Sequence, residues 1–332
     1  MALTHDQITS ITRKFFLKNF TQLVFDQNLL QKRLAAKGTK PSSGSTIMQP
    51  FLHQGSGGGA YPPYGVHSMA NIDQNTAAEF NWKYYNVPIV ISRADLLMND
   101  GPEGVFKLMK IKMDAAAMTM SDNLATDMFK ITTAAGTDSS IEINSLDTML
   151  NDVADGLSTG LVYGGITKGA ATNTFWAGKT SDFGGAGLGP IYSRINSFFM
   201  EIADGNILPT IVVMHNVAFG AYINNQQPQQ QYMKQSEMDA GFLTATFNGR
   251  TVSADLHVSY HAVTDALNRL YVLNEKFIDF VTHSKENNRL EPFQKIVDQN
   301  VIAGQVYWAG ELTSSDPSRS GVAHNFEAAD IT

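Results

Sequence analysis

Three stretches of this 332-residue chain carry residue types that could do chemistry. Trp176-Ala177-Gly178-Lys179-Thr180 ends in the Gly-Lys-Thr of a phosphate-binding loop, whose backbone amides and lysine cradle a triphosphate. The first glycine of that motif is missing, because position 173 is Asn, and the residues before it do not read as a buried strand. A surface turn accounts for the segment better. Gly185, Gly187 and Gly189 precede a helix opening at Pro190, where a dinucleotide fingerprint would bring amides to a pyrophosphate. Their spacing departs from that fingerprint and Pro190 removes a donor, so they read as a linker into a proline-started helix. His257 and His261, with Asp255 and Asp265 nearby, could be drawn as a metal cluster. The run DLHVSYH reads as a strand, however, and these are read as ordinary strand residues. With no His-Glu-x-x-His pair and with dispersed carboxylates, the chain is expected to carry no catalytic residue, no cofactor and no metal, and not to be an enzyme.

The bulk composition agrees with a folded, non-catalytic body. Hydrophobic residues make up 43% of the chain and charged residues 17%, which argues against wholesale disorder. Zero cysteines exclude disulfides, thiolate metal sites and cysteine nucleophiles, so packing must hold the fold. No apolar run approaches the roughly 20 residues that span a bilayer, and the opening MALTHDQITSITRKFF lacks the apolar stretch of a signal peptide. The reading is of a protein made in the cytoplasm, with no membrane partner. Net charge is −7, unevenly spread: residues 1–40 hold seven basic against two acidic residues, the remainder seventeen against 29. A basic arm therefore leads an acidic body. The arm is expected to contact a neighbouring chain first and nucleic acid only non-specifically, since no groove-reading motif is present.

These segments need elements to hold them. Ile8, Ile11, Phe15, Leu17, Phe20, Leu23 and Val24 recur at mostly helical spacing, continued by Leu29, Leu30 and Leu34, until the breaker cluster 38–45. A long hairpin follows, with limbs TIMQPFL at 46–52 and TAAEFNWKYYNVPIVIS at 76–92 and a Gly- and Pro-rich tip too long for a tight turn. Pro102 suits the first turn of a helix over 102–129, about 40 Å long at 1.5 Å per residue. Shorter helices are expected at 190–203 and 216–224, a strand at 209–214, and a two-residue hairpin turn at Asn248-Gly249. The last third, from 269 onward, is rich in β-branched and aromatic runs.

In this order the parts resemble the major capsid protein family of tailed bacteriophages, the Hong Kong phage-type capsid fold. The resemblance covers nearly the whole chain. It rests on the stretch 76–129, on Gly156-Leu157 with Gly164-Gly165-Ile166 and Trp176, and on FNGRTVSAD, RLYVLNEKFIDFVTHSKEN and VIAGQVYWAGEL with SRSGV near the end. It implies an α+β fold with an N-terminal arm (1–44), an extended β-hairpin loop (45–92), and a peripheral domain with a spine helix (93–135 with 272–315, the helix at 102–129). An inserted axial α/β domain (136–271) and a C-terminal tail (316–332) complete it.

The resemblance further implies pentamers and hexamers closing into an icosahedral head around double-stranded DNA, assembled in the host cytoplasm and present in the virion. Expected partners are copies of the chain, a separate scaffolding protein, a portal and a decoration protein. Because the arm opens the sequence, no N-terminal cleavage is expected. Some family members crosslink subunits through Lys and Asn; Lys83 and Asn287 are present here without other sign of a bond. The residues expected to touch neighbouring subunits are Phe15, Phe20, Gly57, Gly58, Tyr61, Tyr64 and Trp82. Two other readings stay open: a nanocompartment shell enclosing enzyme cargo, and a soluble nucleotide-binding enzyme built on Gly178-Lys179-Thr180.

Overall fold

A computed structural model describes residues 28–65, 73–98, 102–131, 141–151, 162–168, 173–184, 190–226, 244–260, 268–295 and 300–325. Helix α1 (Leu29–Lys37) begins at Asn28, whose side-chain oxygen accepts from the Gln31 amide at 3.0 Å. The expected unbroken arm helix therefore has a start of its own here, because Asn28 is in extended backbone, while residues 1–27 lie outside the described set. Strands β1 (Thr46–Leu52), β2 (Asn75–Asn81) and β3 (Lys83–Ser92) lead to helices α2 (Arg93–Met98) and α3 (Pro102–Met128). Then come α4 (Leu146–Leu150), the ribbon β4 (Val162–Tyr163) and β5 (Ile166–Thr167), β6 (Lys179–Asp182), α5 (Ile191–Ile202), β7 (Ile211–Met214) and α6 (Asn216–Gln226). Strands β8 (Thr244–Phe247), β9 (Arg250–Ala254), β10 (Arg269–Leu273), β11 (Ile278–Thr282), β12 (Arg289–Lys295), β13 (Val301–Ser314) and β14 (Gly321–His324) finish the chain.

The expected return limb of the hairpin divides at Trp82. Its first half, β2, pairs with β1 from Thr46↔Asn81 to Leu52↔Asn75. Its second half, β3, leaves the hairpin and runs antiparallel along β13 from Lys83↔Gly310 to Ser92↔Val301. The 14-residue β13 is the spine of a four-stranded sheet, carrying β3 on one edge and β11 and β12 in succession on the other. Helix α3 lies on this sheet and buries Ala116, Met120, Leu124 and Met128, a row at four-residue steps. Its 27 residues match the expected helix and give a rod of about 40 Å.

The second sheet has six strands in the order β6-β14-β10-β7-β9-β8. Helices α5 and α6 cover one face with Ile195, Phe198, Phe199, Ile202, Phe219 and Tyr222. The other face, Ile211, Val213, Tyr271, Leu273 and Val322, belongs to a core that continues through α4 and Trp176 to α3 and the first sheet. The turn between β8 and β9 is where it was expected: Asn248 and Gly249 both have positive φ, +45° and +74°, the geometry of a tight primed hairpin turn.

Three expectations shift. Strand β9 ends at Ala254, so residues 255–260 are not the expected strand; they hold a turn at Leu256 and His257, and His261 and Asp265 lie outside the described residues. The expected boundary at 271/272 falls inside β10, which sits whole in the six-stranded sheet. The expected tail supplies β14 to that same sheet, between β6 and β10, before residues 326–332 leave the described set. Sheet partners about 40 or more residues apart decide these boundaries, and a local pattern does not report them.

Candidate functional site

The hairpin β1–β2 has two unlike faces. Alternation puts Ile47, Phe51, Ala78 and Phe80 inward and Met48, Pro50 and Leu52 outward. Inward, Phe51 stacks on Trp176 with ring centroids 4.4 Å apart and planes 8° from parallel, and also meets Phe175. Phe80 meets Tyr163 edge-on at 5.0 Å. Trp176, fully buried, donates its indole N–H to the Tyr163 carbonyl at 2.8 Å, so ring and ribbon are held together. Gly164, at φ +61°, lets the ribbon turn against the hairpin: a Cβ there would stand 2.8 Å from Ala78 Cβ and Phe80 Cζ. Its carbonyl accepts from the Glu79 amide at 2.9 Å.

Beneath the ribbon Lys168 is buried, with its ammonium on the carbonyls of Thr148, Met149 and Asn151 at the end of α4 and 5.4 Å from the Tyr163 ring. A cation at a helix C-terminus meets carbonyls left without helical donors. Gly164-Gly165-Ile166 and Trp176 are thus the anchor of the hairpin root.

Outward, the same hairpin offers apolar surface to solvent. Leu52 is 75% exposed and Met48 63%. At the tip Tyr61 is 61% exposed and Tyr64 fully exposed, with Gly57 and Gly58 bare beside them. Trp82 sits differently from these expected contact residues: it packs on its own chain, donating to the Gly44 carbonyl at 3.0 Å and meeting His283 edge-on. Phe15 and Phe20 lie outside the described residues. The four-stranded sheet adds a second open apolar face, where Tyr84, Pro88 and Val90 alternate with the buried Val87 and Ile89 along β3.

Part of the basic arm is committed within the chain. Arg33 pairs with Glu275 at 3.1 Å, and Lys37 reaches the carbonyls of Glu275 and Ile278. Thr39 and Pro41 run beside β11, accepting from the amides of Thr282 and Ser284, both at 3.0 Å. Lys83 is equally committed: it is buried 4.0 Å from Glu311, whose other oxygen accepts from the Asn144 amide at 2.7 Å. A crosslink from Lys83 to another subunit would need this pair dismantled.

The chemical readings fare as follows. Gly178-Lys179-Thr180 enters strand β6 rather than a helix, and Gly178 is there for packing, since a Cβ would stand 2.5 Å from the Leu150 carbonyl oxygen. The amides that would cradle a phosphate are used differently, Lys179 N–H donating to Ser320 O at 3.0 Å. Gly185, Gly187 and Gly189 lie outside the described residues, as does Gly156-Leu157-Ser158-Thr159-Gly160, which has the order of a hydrolase nucleophile elbow.

Two polar constellations join residues far apart in the sequence. Tyr85 donates to Asp127 at 2.6 Å and accepts from the Ile143 amide at 3.0 Å, and burial followed by the Asp127 bond pushes its hydroxyl pKa well up. His257 lies between Asp255 and Asp122, 3.0 Å from each. Its partner Asp122 is 135 residues away, which no spacing rule finds.

Among the described residues no helix is long and apolar enough to cross a membrane. No protein-family model and no curated protein matches the sequence. Solved structures match over its full length. The capsid asymmetric unit of cyanophage A-1(L) aligns with a TM-score of 0.62 at 13% identity, covering 98% of this chain and 99% of that one. The capsid of Myoviridae phage XM1 aligns at 0.61 and 11%, again covering 98% and 99%. The SrpI encapsulin complex of Synechococcus elongatus PCC 7942 aligns at 0.58 and 8%, covering 100% and 99%. The chain is thus a shell-protein fold. More particularly, it has the Hong Kong phage-type capsid fold, a mixed α+β architecture.

Proposed function

We propose that this chain is the major capsid protein of a tailed phage, whose work is to enclose double-stranded DNA in a shell of pentamers and hexamers. The observation that carries this reading is the two-faced hairpin: a root locked to its own subunit by Trp176 and Gly164, and an outer face and tip on which Met48, Leu52 and Tyr64 stand exposed. Apolar surface left in solvent is burial awaiting a partner, and a neighbouring copy provides it through Gly57, Gly58, Tyr61 and Tyr64. Phe15 and Phe20 of the arm make a second such contact, while Trp82 braces the root from within.

The division into arm, extended loop, peripheral and axial domains follows, with α3 as the spine helix. So do the partners: a scaffolding protein, a portal, a decoration protein and, by non-specific proximity, the packaged DNA in the virion. The encapsulin alignment keeps one second reading in play, a nanocompartment around enzyme cargo. Contents separate the two, since nuclease-resistant DNA inside purified particles supports the phage reading and protein cargo the other.

Deleting residues 54–65 tests the role of the hairpin. The expected product is a folded, soluble subunit with unchanged circular dichroism that builds few or no shells under the electron microscope. Shells as numerous and heat-resistant as those of the parent chain contradict it.

A further inference from the structure

The C-terminal end of α3 and the loop after β9 face each other across a cleft of about 560 Å3, lined by Asp127, Phe129, Lys130, His215, His257 and Tyr260. Beside it one side chain ties the two walls. His257, 10% exposed, places Nε2 3.0 Å from Asp122 on α3 and Nδ1 3.0 Å from Asp255 on its own loop. Both ring nitrogens thus face carboxylate oxygens, and only the imidazolium has two N–H donors to give them. A neutral ring would turn a lone pair toward one carboxylate.

The carboxylates differ in freedom. Asp255 is buried, its oxygen also accepts from the His257 amide at 2.9 Å, and its own amide donates to the Met214 carbonyl at 2.9 Å. Asp122 is one-third exposed on the surface of α3, so this is the end of the bridge that can part. Beneath the bridge the contact is apolar: Met128 and Phe129, Val258 of the loop and Tyr271 of β10 lie in one buried core, with the Phe129 and Tyr271 rings 5.7 Å apart. Apolar contact is non-directional and tolerates a small rotation that a two-ended charged bridge forbids.

We propose that the Asp122–His257–Asp255 bridge is a proton-controlled latch that holds the end of α3 against the six-stranded sheet, and that losing its proton lets the two turn apart about the cleft. The remaining charged and titratable groups around the cleft are engaged differently. Lys130 pairs with Glu142, Asp127 accepts from Tyr85, and His215 stacks on Tyr260 with ring centroids 5.0 Å apart, its pKa lowered by burial. The Asp255 hydrogen bond, against burial and with help from Asp122, raises His257 to about 9. A raised value means the latch contributes fully below the ordinary histidine pKa of about 6.5, weakens from there, and is lost as the pH passes about 9.

The chain has no cysteine, so spin labels can be placed cleanly. Asp114→Cys on α3 and Asn206→Cys beyond α5 are both exposed, and labelled subunits diluted with unlabelled ones give the distance between helix and sheet whether or not shells form. The expected result is one narrow distance distribution at pH 7 that broadens and lengthens at pH 10. Asp122→Asn, a change on a partly exposed side chain that leaves Asp255 in place, should give the broad distribution already at pH 7. A wild-type distribution identical at both pH values overturns the proposal. A pH response undiminished in Asp122→Asn overturns it equally, by assigning the response to another group.

Discussion

The two sheets of this molecule are finished to different degrees. In the six-stranded sheet β7 and β10 are buried at every position, with α5 and α6 on one face and the common core on the other. In the four-stranded sheet β3 alternates strictly enough that Tyr84, Pro88 and Val90 face solvent while Val87, Ile89 and Ile91 are buried. The hairpin repeats this in miniature: Phe51 lies on the Trp176 ring and its neighbour Leu52 stands in water. One part is closed by its own chain. The other is closed on one side only, which is what a subunit needs if its remaining burial is to come from copies of itself.

That contrast can be broken from the closed side first. Trp176→Ala removes the ring on which Phe51 stacks and the donor to Tyr163, and should cost about 3–5 kcal/mol in a denaturant titration. A loss below 1 kcal/mol would mean that the hairpin root is not anchored there. Next, Gly164→Ala forces a side chain into left-handed backbone and against Phe80, for an expected cost of about 1–3 kcal/mol. Fluorescence of the surrounding aromatics should change with it. Smallest in stability are Leu52→Ser and Tyr64→Ser on the open side, expected within about 0.5 kcal/mol of the parent. Yet these two should lower shell yield severalfold by light scattering. If they unfold the subunit instead, the outer face is part of its own core and the comparison fails.

The periodic elements were legible in the residues. Helix α3 announced itself through Pro102 and apolar steps of three and four, and the β8–β9 turn through Asn248-Gly249, because both are decided by contacts within a few positions. The break at Asn28 was also written locally, as a capping residue, though the apolar steps running on to Leu34 masked it. What the residues did not show was partnership at a distance. Nothing near Trp82 says that β3 will leave β2 for β13, nor that β14 will lie between β6 and β10. His257 illustrates the same limit within the candidate sites: the run DLHVSYH read as a strand, while the structure gives a turn at His257 and a partner on α3. The exposed tyrosines of the tip were legible because the stretch between the two limbs is too long for a tight turn; the anchor behind them, Gly164 and Trp176, had only a family resemblance to mark it.

The most direct test is an electron cryomicroscopy reconstruction of the expressed wild-type chain. The expected density is a closed shell of rings in which residues 54–65 of each subunit lie across the next, covering Leu52 and Tyr64. A protein that stays monomeric at every concentration, or particles in which that hairpin folds back on its own subunit, would contradict the account.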